Sequence, residues 1–189
     1  MRLILASASP RRAELLTSAG IEFEVAPASV DETARQDERP TDYVLRLARE
    51  KAAAVVSRQL RTSSPVLGAD TVVVAGGRLL GKPGDDGNAR EMLGILSGSV
   101  HDVVTGVVLL SSGREFAEVV TTRVRFVPLA DSDISWYIGT GEPAGKAGAY
   151  AIQGLGSRFV DWIEGSWSNV VGLPVATVYR MLKQAGVVC

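Results

Sequence analysis

The segment from Ser7 to Arg12, Ser-Ala-Ser-Pro-Arg-Arg, carries two hydroxyls and two guanidiniums within six residues. Ser9 and Pro10 are of the types that begin a helix, whose free N–H groups attract anions, and arginine can hold two phosphate oxygens at once. The segment fits either of two arrangements. One is a helix that Ser9 caps while both arginines are solvated. The other is a triphosphate cradle formed by Ser7, Ser9, Arg11 and Arg12.

Acidic residues form the second candidate group, which consists of Asp31, Glu32, Asp70 and Glu142. Asp70 interrupts the apolar strand pattern 66–74, where a carboxylate is costly unless it is paired or faces a cleft. The alternative is a structural aspartate at a strand end that accepts hydrogen bonds from nearby backbone N–H groups. We favour a functional role, since Mg²⁺ needs only one or two protein carboxylates beside phosphate oxygens. Glu142 is predicted to be a solvated loop acid.

Two lysines could supply positive charge to a phosphate. Lys51 follows Arg49 and Glu50 on a predicted helix, and its alternative role is a place on a solvated face with salt bridges. Residues 76–82 match the pattern G-x-x-x-x-G-K, but Pro83 replaces the Ser or Thr that a phosphate-binding P-loop requires. We therefore reject a P-loop, while Lys82 can still bind phosphate as a point charge in a tight turn.

A glycine-rich segment, residues 145–156, contains Lys146, Tyr150 and Gln153 among four glycines. Glycine lets the backbone approach a ligand closely, and the Gln153 amide can read the edge of a base. A mobile loop without a ligand is the alternative. Thr71, next to Asp70, is too near the predicted phosphate site to select between bases and is expected to shape a pocket wall.

The hydrophobic pattern predicts the elements that position these residues. Strands are expected at 2–6, 21–25, 66–75, 78–80, 102–110, 115–127 and 159–163. Helices are expected from Pro10 to about Gly20, from an N-cap at Thr41, and at 86–96, 134–138 and 173–184. Residues 139–156 are predicted to be rich in loops. Strands and helices alternate with inserted hairpins, so we predict an α/β fold with a mixed sheet in one domain, residues 1–189.

Composition excludes several classes of function. The 189 residues are 46% hydrophobic and 22% charged, as in an ordinary soluble protein, and the net charge of -1 offers no basis for binding nucleic acid or an anionic membrane. The lone Cys189 excludes an internal disulfide and a cysteine zinc cage. The lone His101 argues against a Ser-His-Asp triad and is predicted to be structural. No segment resembles a signal peptide or a membrane span, so a cytoplasmic location is expected.

Taken together, these segments resemble the Maf family. The matching segments run in order along nearly the whole chain: Ser7–Arg12, Ser29–Glu32, Arg49–Ala52, Gly68–Thr71, Gly81–Pro83, Leu96–Gly98, Lys146–Gly154 and Val171–Pro174. Within the family, Arg12, Thr71 and Gln153 point to the dTTP/UTP pyrophosphatase branch.

The resemblance implies a house-cleaning hydrolase that cleaves dTTP and UTP, and modified pyrimidine nucleotides, between the α- and β-phosphates. It implies an elongated mixed sheet with flanking helices and two lobes around a cleft, similar to inosine-triphosphate pyrophosphatases. It also implies a divalent cation, Mg²⁺ or Mn²⁺, held by Glu32 and Asp70, with Asp70 as general base. The substrate-binding residues that it implies are Ser7, Ser9, Arg11, Arg12, Lys51, Thr71, Lys82 and Gln153.

Two other functions stay open from the sequence. One is a pyrophosphatase for other modified or purine nucleotides, in which Gln153 would not read the base. The other is a nucleotide-binding regulator of septum formation without catalysis, although a pure binder has no need of a base such as Asp70. The family resemblance further implies a homodimer.

Overall fold

The computed structural model describes residues 2–58 and 64–188. Cys189, and the disulfide and zinc predictions attached to it, lie outside these residues. The chain forms two compact units. Unit 1 consists of Met1–Thr71, Thr105–Val120 and Gly172–Cys189, and unit 2 of Val72–Val104 and Thr121–Val171. The prediction of a single domain is not tested by this division, because three strands contribute residues to both units.

Seven strands form one sheet, and their bounds are β1 Leu3–Ala6, β2 Phe23–Val25, β3 Val66–Ala75, β4 Arg78–Leu80, β5 Val100–Ser111, β6 Arg114–Phe126 and β7 Val160–Glu164. The strand order is β2-β1-β3-β5-β6-β7, with β4 paired to β3. β1 is parallel to both β2 and β3, whereas the pairs β3–β4 and β6–β7 are antiparallel. The sheet is therefore mixed, as predicted.

The helices are α1 Pro10–Ser18, α2 Pro40–Arg58, α3 Asp86–Leu96, α4 Asp131–Gly139, α5 Trp167–Val171 and α6 Val175–Gln184, with 3₁₀ turns at Ala147–Ala149 and Leu155–Phe159. They confirm the α/β fold with flanking helices. Within the part of the chain that is described, no helix has the length and apolar character needed to cross a bilayer.

The predicted first residues of two helices, α2 and α6, were wrong, and in both cases a proline sets where the helix begins. The long helix begins at Pro40, so Thr41 is inside it and is not the N-cap. Proline favours the first helical position because its φ is preset and its missing N–H needs no partner there. The last helix begins at Val175, two residues after the predicted Leu173, because a residue before proline disfavours helical geometry and Pro174 follows. Sequence reasoning also missed α5, since five residues are too short for a periodic pattern.

In unit 1, helix α2 lies unusually close to strands β3 and β5. A Cβ on Gly68 would overlap the carbonyl oxygen of Ala48, and a Cβ on Gly106 would lie 2.6 Å from the carbonyl oxygen of Val44. Small buried residues of α2 continue the contact, with Ala48 and Ala52 in the apolar core of this unit. The two glycines thus set the distance between α2 and the strands that face it.

Unit 2 is built around a cluster of aromatic rings. Phe126 packs edge to face with Tyr150 and also contacts Phe159, which in turn packs on Tyr137. His101 is buried among them, and its Nε2 is 2.9 Å from the Tyr150 hydroxyl. Burial lowers the pKa of His101 to about 4, so the ring is neutral at pH 7. These contacts agree with the predicted structural role of His101.

The close approach of α2 yields a stability prediction. Gly68→Ala should lower the free energy of unfolding by about 1–3 kcal/mol, because the added methyl meets backbone that cannot rotate away. Gly94→Ala is the matched control: it is exposed in α3 with no atom near its Cβ, and it should raise that free energy by about 0.5–1 kcal/mol. Urea unfolding measures both. Equal effects would show that the α2–β3 distance does not depend on Gly68.

Candidate active site

A lysine lies between two carboxylates in unit 1. The Nζ of Lys51 is 2.6 Å from Asp70 Oδ1 and 2.6 Å from Glu32 Oε1. The Lys51 side chain is only 9% exposed and that of Asp70 12%, whereas that of Glu32 is 43% exposed. The alternative of a solvated helix face is therefore wrong for Lys51: Arg49 is exposed, whereas the Lys51 ammonium bonds to Asp70 of β3.

Asp70 lies in the interior of β3, since the strand continues to Ala75. The alternative of a structural aspartate at a strand end is thus not what the structure shows. Its carboxylate accepts a hydrogen bond from the Lys51 ammonium. A buried carboxylate is costly unless it is paired, so Asp70 depends on Lys51 for its stability in this position.

Arg12 is the second buried cation, and it is bonded to four acceptors. Its Nε donates to Gly172 O at 2.8 Å, its Nη1 donates to Ala69 O at 2.9 Å and to Ser7 Oγ at 3.0 Å, and its Nη2 donates to Thr71 Oγ1 at 3.0 Å. Burial lowers the pKa of Arg12, and the charge of Asp70 opposes this decrease. Four of the five guanidinium N–H groups are therefore committed to the protein.

This network corrects one prediction for the segment 7–12. Ser9 makes no side-chain capping bond to α1, and Arg12 is buried, so the arrangement of a serine cap with two solvated arginines is wrong. The Ser9 backbone N–H instead donates to Ser7 Oγ at 3.2 Å. Arg11 is half-buried beside Arg12 at the start of α1.

Thr105 is a member of this cluster that sequence reasoning missed. Its hydroxyl is 2.9 Å from Thr71 Oγ1, which also donates to Gly172 O at 3.3 Å. Thr105 is fully buried in a strand segment whose other buried residues are mainly valines. A hydroxyl in such an apolar run was the available signal, because a buried hydroxyl needs a partner.

Two predicted site residues, Lys82 and Gln153, belong to unit 2 and are exposed. Lys82 follows β4, and the preceding Gly81 carbonyl accepts a hydrogen bond from Gly148 N at 3.0 Å. Gln153 lies between the two 3₁₀ turns. Lys82 and Gln153 thus belong to unit 2. The other predicted site residues all belong to unit 1: Ser7, Ser9, Arg11, Arg12, Glu32, Lys51, Asp70 and Thr71.

Glu142 anchors the loop that carries Gln153, so the prediction of a solvated loop acid is wrong. Its Oε1 accepts hydrogen bonds from the Tyr137 hydroxyl at 2.8 Å and from Gly156 N at 3.0 Å. Its Oε2 accepts from Leu155 N at 2.9 Å. Burial would raise the pKa of Glu142, but these hydrogen bonds outweigh it and lower the pKa. Glu142 therefore has a structural role in the loop that follows Gln153.

The donors for a metal ion are few. Across residues 2–58 and 64–188, no three His, Cys, Asp or Glu side chains form a group that could hold an ion by themselves. Asp70 and Glu32 are the pair that one cation already bridges, namely the Lys51 ammonium. Two hard carboxylates fit a Mg²⁺ or Mn²⁺ ion whose other ligands are phosphate oxygens and water.

The mixed sheet and this cluster define an α/β protein in which the buried cations Arg12 and Lys51 share unit 1 with two carboxylates that Lys51 bridges. The family model described as Maf-like protein matches residues 2–185, and the chain therefore belongs to the Maf family. The resemblance stated from the sequence is confirmed.

Several curated relatives are similar over almost their whole length. A dTTP/UTP pyrophosphatase of Anaeromyxobacter dehalogenans (strain 2CP-C) is 53% identical, over 98% of this chain and 94% of the relative. Proteins of the same name from Koribacter versatilis (strain Ellin345) and Syntrophus aciditrophicus (strain SB) are 52% and 51% identical, over 99% and 98% of this chain and 96% and 90% of the relatives.

Among solved structures, a nucleoside-triphosphatase / dITP/XTP pyrophosphatase from Mycobacterium abscessus ATCC 19977 / DSM 44196 is 16% identical, with a TM-score of 0.44, and the alignment covers 98% of this chain and 94% of that chain. A score below 0.5 does not establish a common fold, so the predicted similarity to inosine-triphosphate pyrophosphatases stays a prediction.

The bonding of Arg12 yields a prediction. Arg12→Lys should lower the free energy of unfolding by about 1–3 kcal/mol, because an ammonium cannot reach four acceptors and leaves buried carbonyls unsatisfied. Arg2→Lys is the control: Arg2 is exposed and pairs only with Glu24, so the change should stay within about 0.5 kcal/mol. Urea unfolding compares the two. A similar, small loss for both would show that the network contributes nothing particular.

Proposed function

We propose that this protein is a dTTP/UTP pyrophosphatase, which hydrolyses these nucleotides to the monophosphate and pyrophosphate. The observation that carries the proposal is the 51–53% identity, over 98–99% of the chain, to the three relatives of that name. The lysine-bridged carboxylates and the buried arginine of unit 1 support it, because phosphoryl chemistry needs a base and fixed cations.

Asp70 is proposed as the general base. Its carboxylate would accept a proton from water as the water oxygen forms a bond to the α-phosphorus. The bond from that phosphorus to the bridging oxygen then breaks, and pyrophosphate leaves. The Lys51 ammonium 2.6 Å from Asp70 keeps the carboxylate oriented and compensates its charge.

The phosphate-binding roles follow from charge and position. Ser7, Ser9 and Arg11 lie at the start of α1, where backbone N–H groups and the helix dipole favour an anion. Arg12 would act chiefly through its charge and by holding the loop, because four of its N–H groups are already bonded. Lys82 is proposed as a further phosphate-binding cation.

A divalent cation is part of the proposal, and Asp70 and Glu32 would hold it. When bound, Mg²⁺ or Mn²⁺ neutralises charge on the phosphate oxygens. Lys51, whose ammonium lies beside both carboxylates, is also proposed to bind phosphate oxygens.

Gln153 is proposed to read the base. A side-chain amide can donate to a uracil or thymine carbonyl and accept from the ring N3–H, whereas cytosine presents the reverse pattern. Sites that hydrogen-bond a substrate reject analogues that lack the matching group. Thr71 would shape the pocket wall.

Homodimer formation, cytoplasmic location and the absence of nucleic-acid or membrane partners stay predictions, supported only by the resemblance and the net charge of -1.

The test of the function is pyrophosphate release from dTTP, UTP, CTP and dGTP with Mg²⁺ or Mn²⁺. We expect dTTP and UTP well above CTP and dGTP. Asp70→Asn should lower turnover by about 10²-fold or more while nucleotide binding persists, because the amide cannot accept the proton. Turnover of Asp70→Asn within a few-fold of the original protein would remove Asp70 from the mechanism. No hydrolysis of any nucleotide by the original protein would reject the function.

The position of Lys51 between the carboxylates yields a separate prediction. Lys51→Met should bind Mn²⁺ more tightly than the original protein in the absence of nucleotide, because no ammonium competes for Asp70 and Glu32. It should bind dTTP more weakly. Electron paramagnetic resonance of free Mn²⁺ and nucleotide titrations measure the two effects. Lys183→Met, at an exposed position of α6, should change neither. Weaker or unchanged Mn²⁺ binding by Lys51→Met would contradict the competition.

A further inference from the structure

The loop that carries Glu32 is held to helix α2 at two consecutive backbone carbonyls. The Tyr43 hydroxyl donates to Glu32 O at 2.9 Å, and Arg46 Nη2 donates to Thr33 O at 3.2 Å. These bonds fix the backbone from which the Glu32 side chain extends.

The far end of this loop is closed by an ion pair. Arg46 Nε and Nη2 donate to the two carboxylate oxygens of Glu38 at 2.6 and 2.7 Å. The Arg46 and Glu38 side chains are only 12% and 9% exposed, and Arg46 also pairs with Glu50. The hydrogen bonds from Arg46 lower the pKa of Glu38 to about 2, so the pair is charged at neutral pH. Arg46 therefore binds both ends of the segment 33–38.

Helix α2 contacts the loop through one face. Tyr43, Arg46 and Glu50 follow the spacing i, i+3 and i+7, which places them in one row along the helix. Lys51 is the next residue, and its ammonium reaches the Glu32 carboxylate. One helix thus holds Glu32 twice, by its backbone through Tyr43 and Arg46 and by its carboxylate through Lys51.

We propose that Tyr43 and Arg46 are positioning residues, which set the distance between the Glu32 and Asp70 carboxylates by holding the Glu32 loop to α2. The inference rests on the proposed function, in which these two carboxylates act together on a metal ion. Neither residue needs to touch the substrate. Partners of this kind behind a metal ligand typically affect metal affinity or activity by 10- to 100-fold.

The experiment measures Mn²⁺ affinity by electron paramagnetic resonance in the presence of the non-cleavable α,β-imido analogue of dTTP. Tyr43→Phe, which removes one hydroxyl and keeps the ring, should weaken Mn²⁺ binding about threefold or more. Arg46→Lys should weaken it on the order of 10-fold, because lysine cannot hold Glu38 and Thr33 O together. In steady-state assays, higher Mn²⁺ concentrations should restore much of the lost rate in both variants.

Matched controls come from the same chain. Tyr179→Phe changes an exposed tyrosine of α6, and Arg39→Lys changes an exposed arginine that pairs with Asp42. Both should keep the Mn²⁺ affinity of the original protein. Tyr43→Phe keeps the inference testable even if Arg46→Lys folds poorly.

A double-mutant cycle with Glu32→Gln separates positioning from a general loss of stability. Once the Glu32 carboxylate is removed, Tyr43→Phe should have little further effect on Mn²⁺ affinity. An equal effect with and without the Glu32 carboxylate would overturn the inference, as would unchanged Mn²⁺ affinity in Tyr43→Phe. Both outcomes leave the proposed function intact if the original protein cleaves dTTP. An original protein that neither cleaves dTTP nor binds Mn²⁺ with the analogue would overturn both.

Discussion

The ammonium of Lys51, held 2.6 Å from each of two carboxylates, is the contact on which the rest of unit 1 depends. Charges removed from water are stable only when opposite charges compensate them at short range. Lys51 belongs to a helix, Asp70 to a strand and Glu32 to a loop, so one contact couples three different segments. Displacing the helix or the strand would leave Asp70 or Lys51 as a buried charge without this partner, whereas Glu32 is partly exposed.

Helix α2, which carries Lys51, is held in place on two faces. One face packs closely against the sheet, and the other is hydrogen-bonded to the preceding loop. Gly68 and Gly106 allow its backbone to lie against β3 and β5 at a distance that any side chain would increase. Tyr43 and Arg46 hold the preceding loop. On α2, Ala48 and Ala52 are buried in the core of unit 1, and the long polar side chains of Tyr43 and Arg46 bind the loop.

Arg12 is also a buried cation, but its hydrogen-bond partners are neutral groups and not carboxylates. Its guanidinium is satisfied by two backbone carbonyls and two hydroxyls, so it joins β3, the Ser7 loop and the turn at Gly172. In formal charge, Arg12 and Lys51 balance Asp70 and Glu32. Under the proposed function, a triphosphate would bring negative charge to a neutral cluster, and a divalent cation and Arg11 would compensate that charge.

Local chemistry in the sequence determined most of the element pattern. The Gly76-Gly77 turn, which needs positive φ, and the run of β-branched residues before it placed β3 and β4 at their observed bounds. The motifs of the Maf family named most residues of the unit 1 cluster. Tertiary structure decided the partners: Lys51 pairs with residues 19 positions away in either direction, and Thr105 meets Thr71 at 34 positions. Periodicity describes which face of an element is apolar, but which buried charges and hydroxyls pair across the chain depends on how closely helix and sheet can pack.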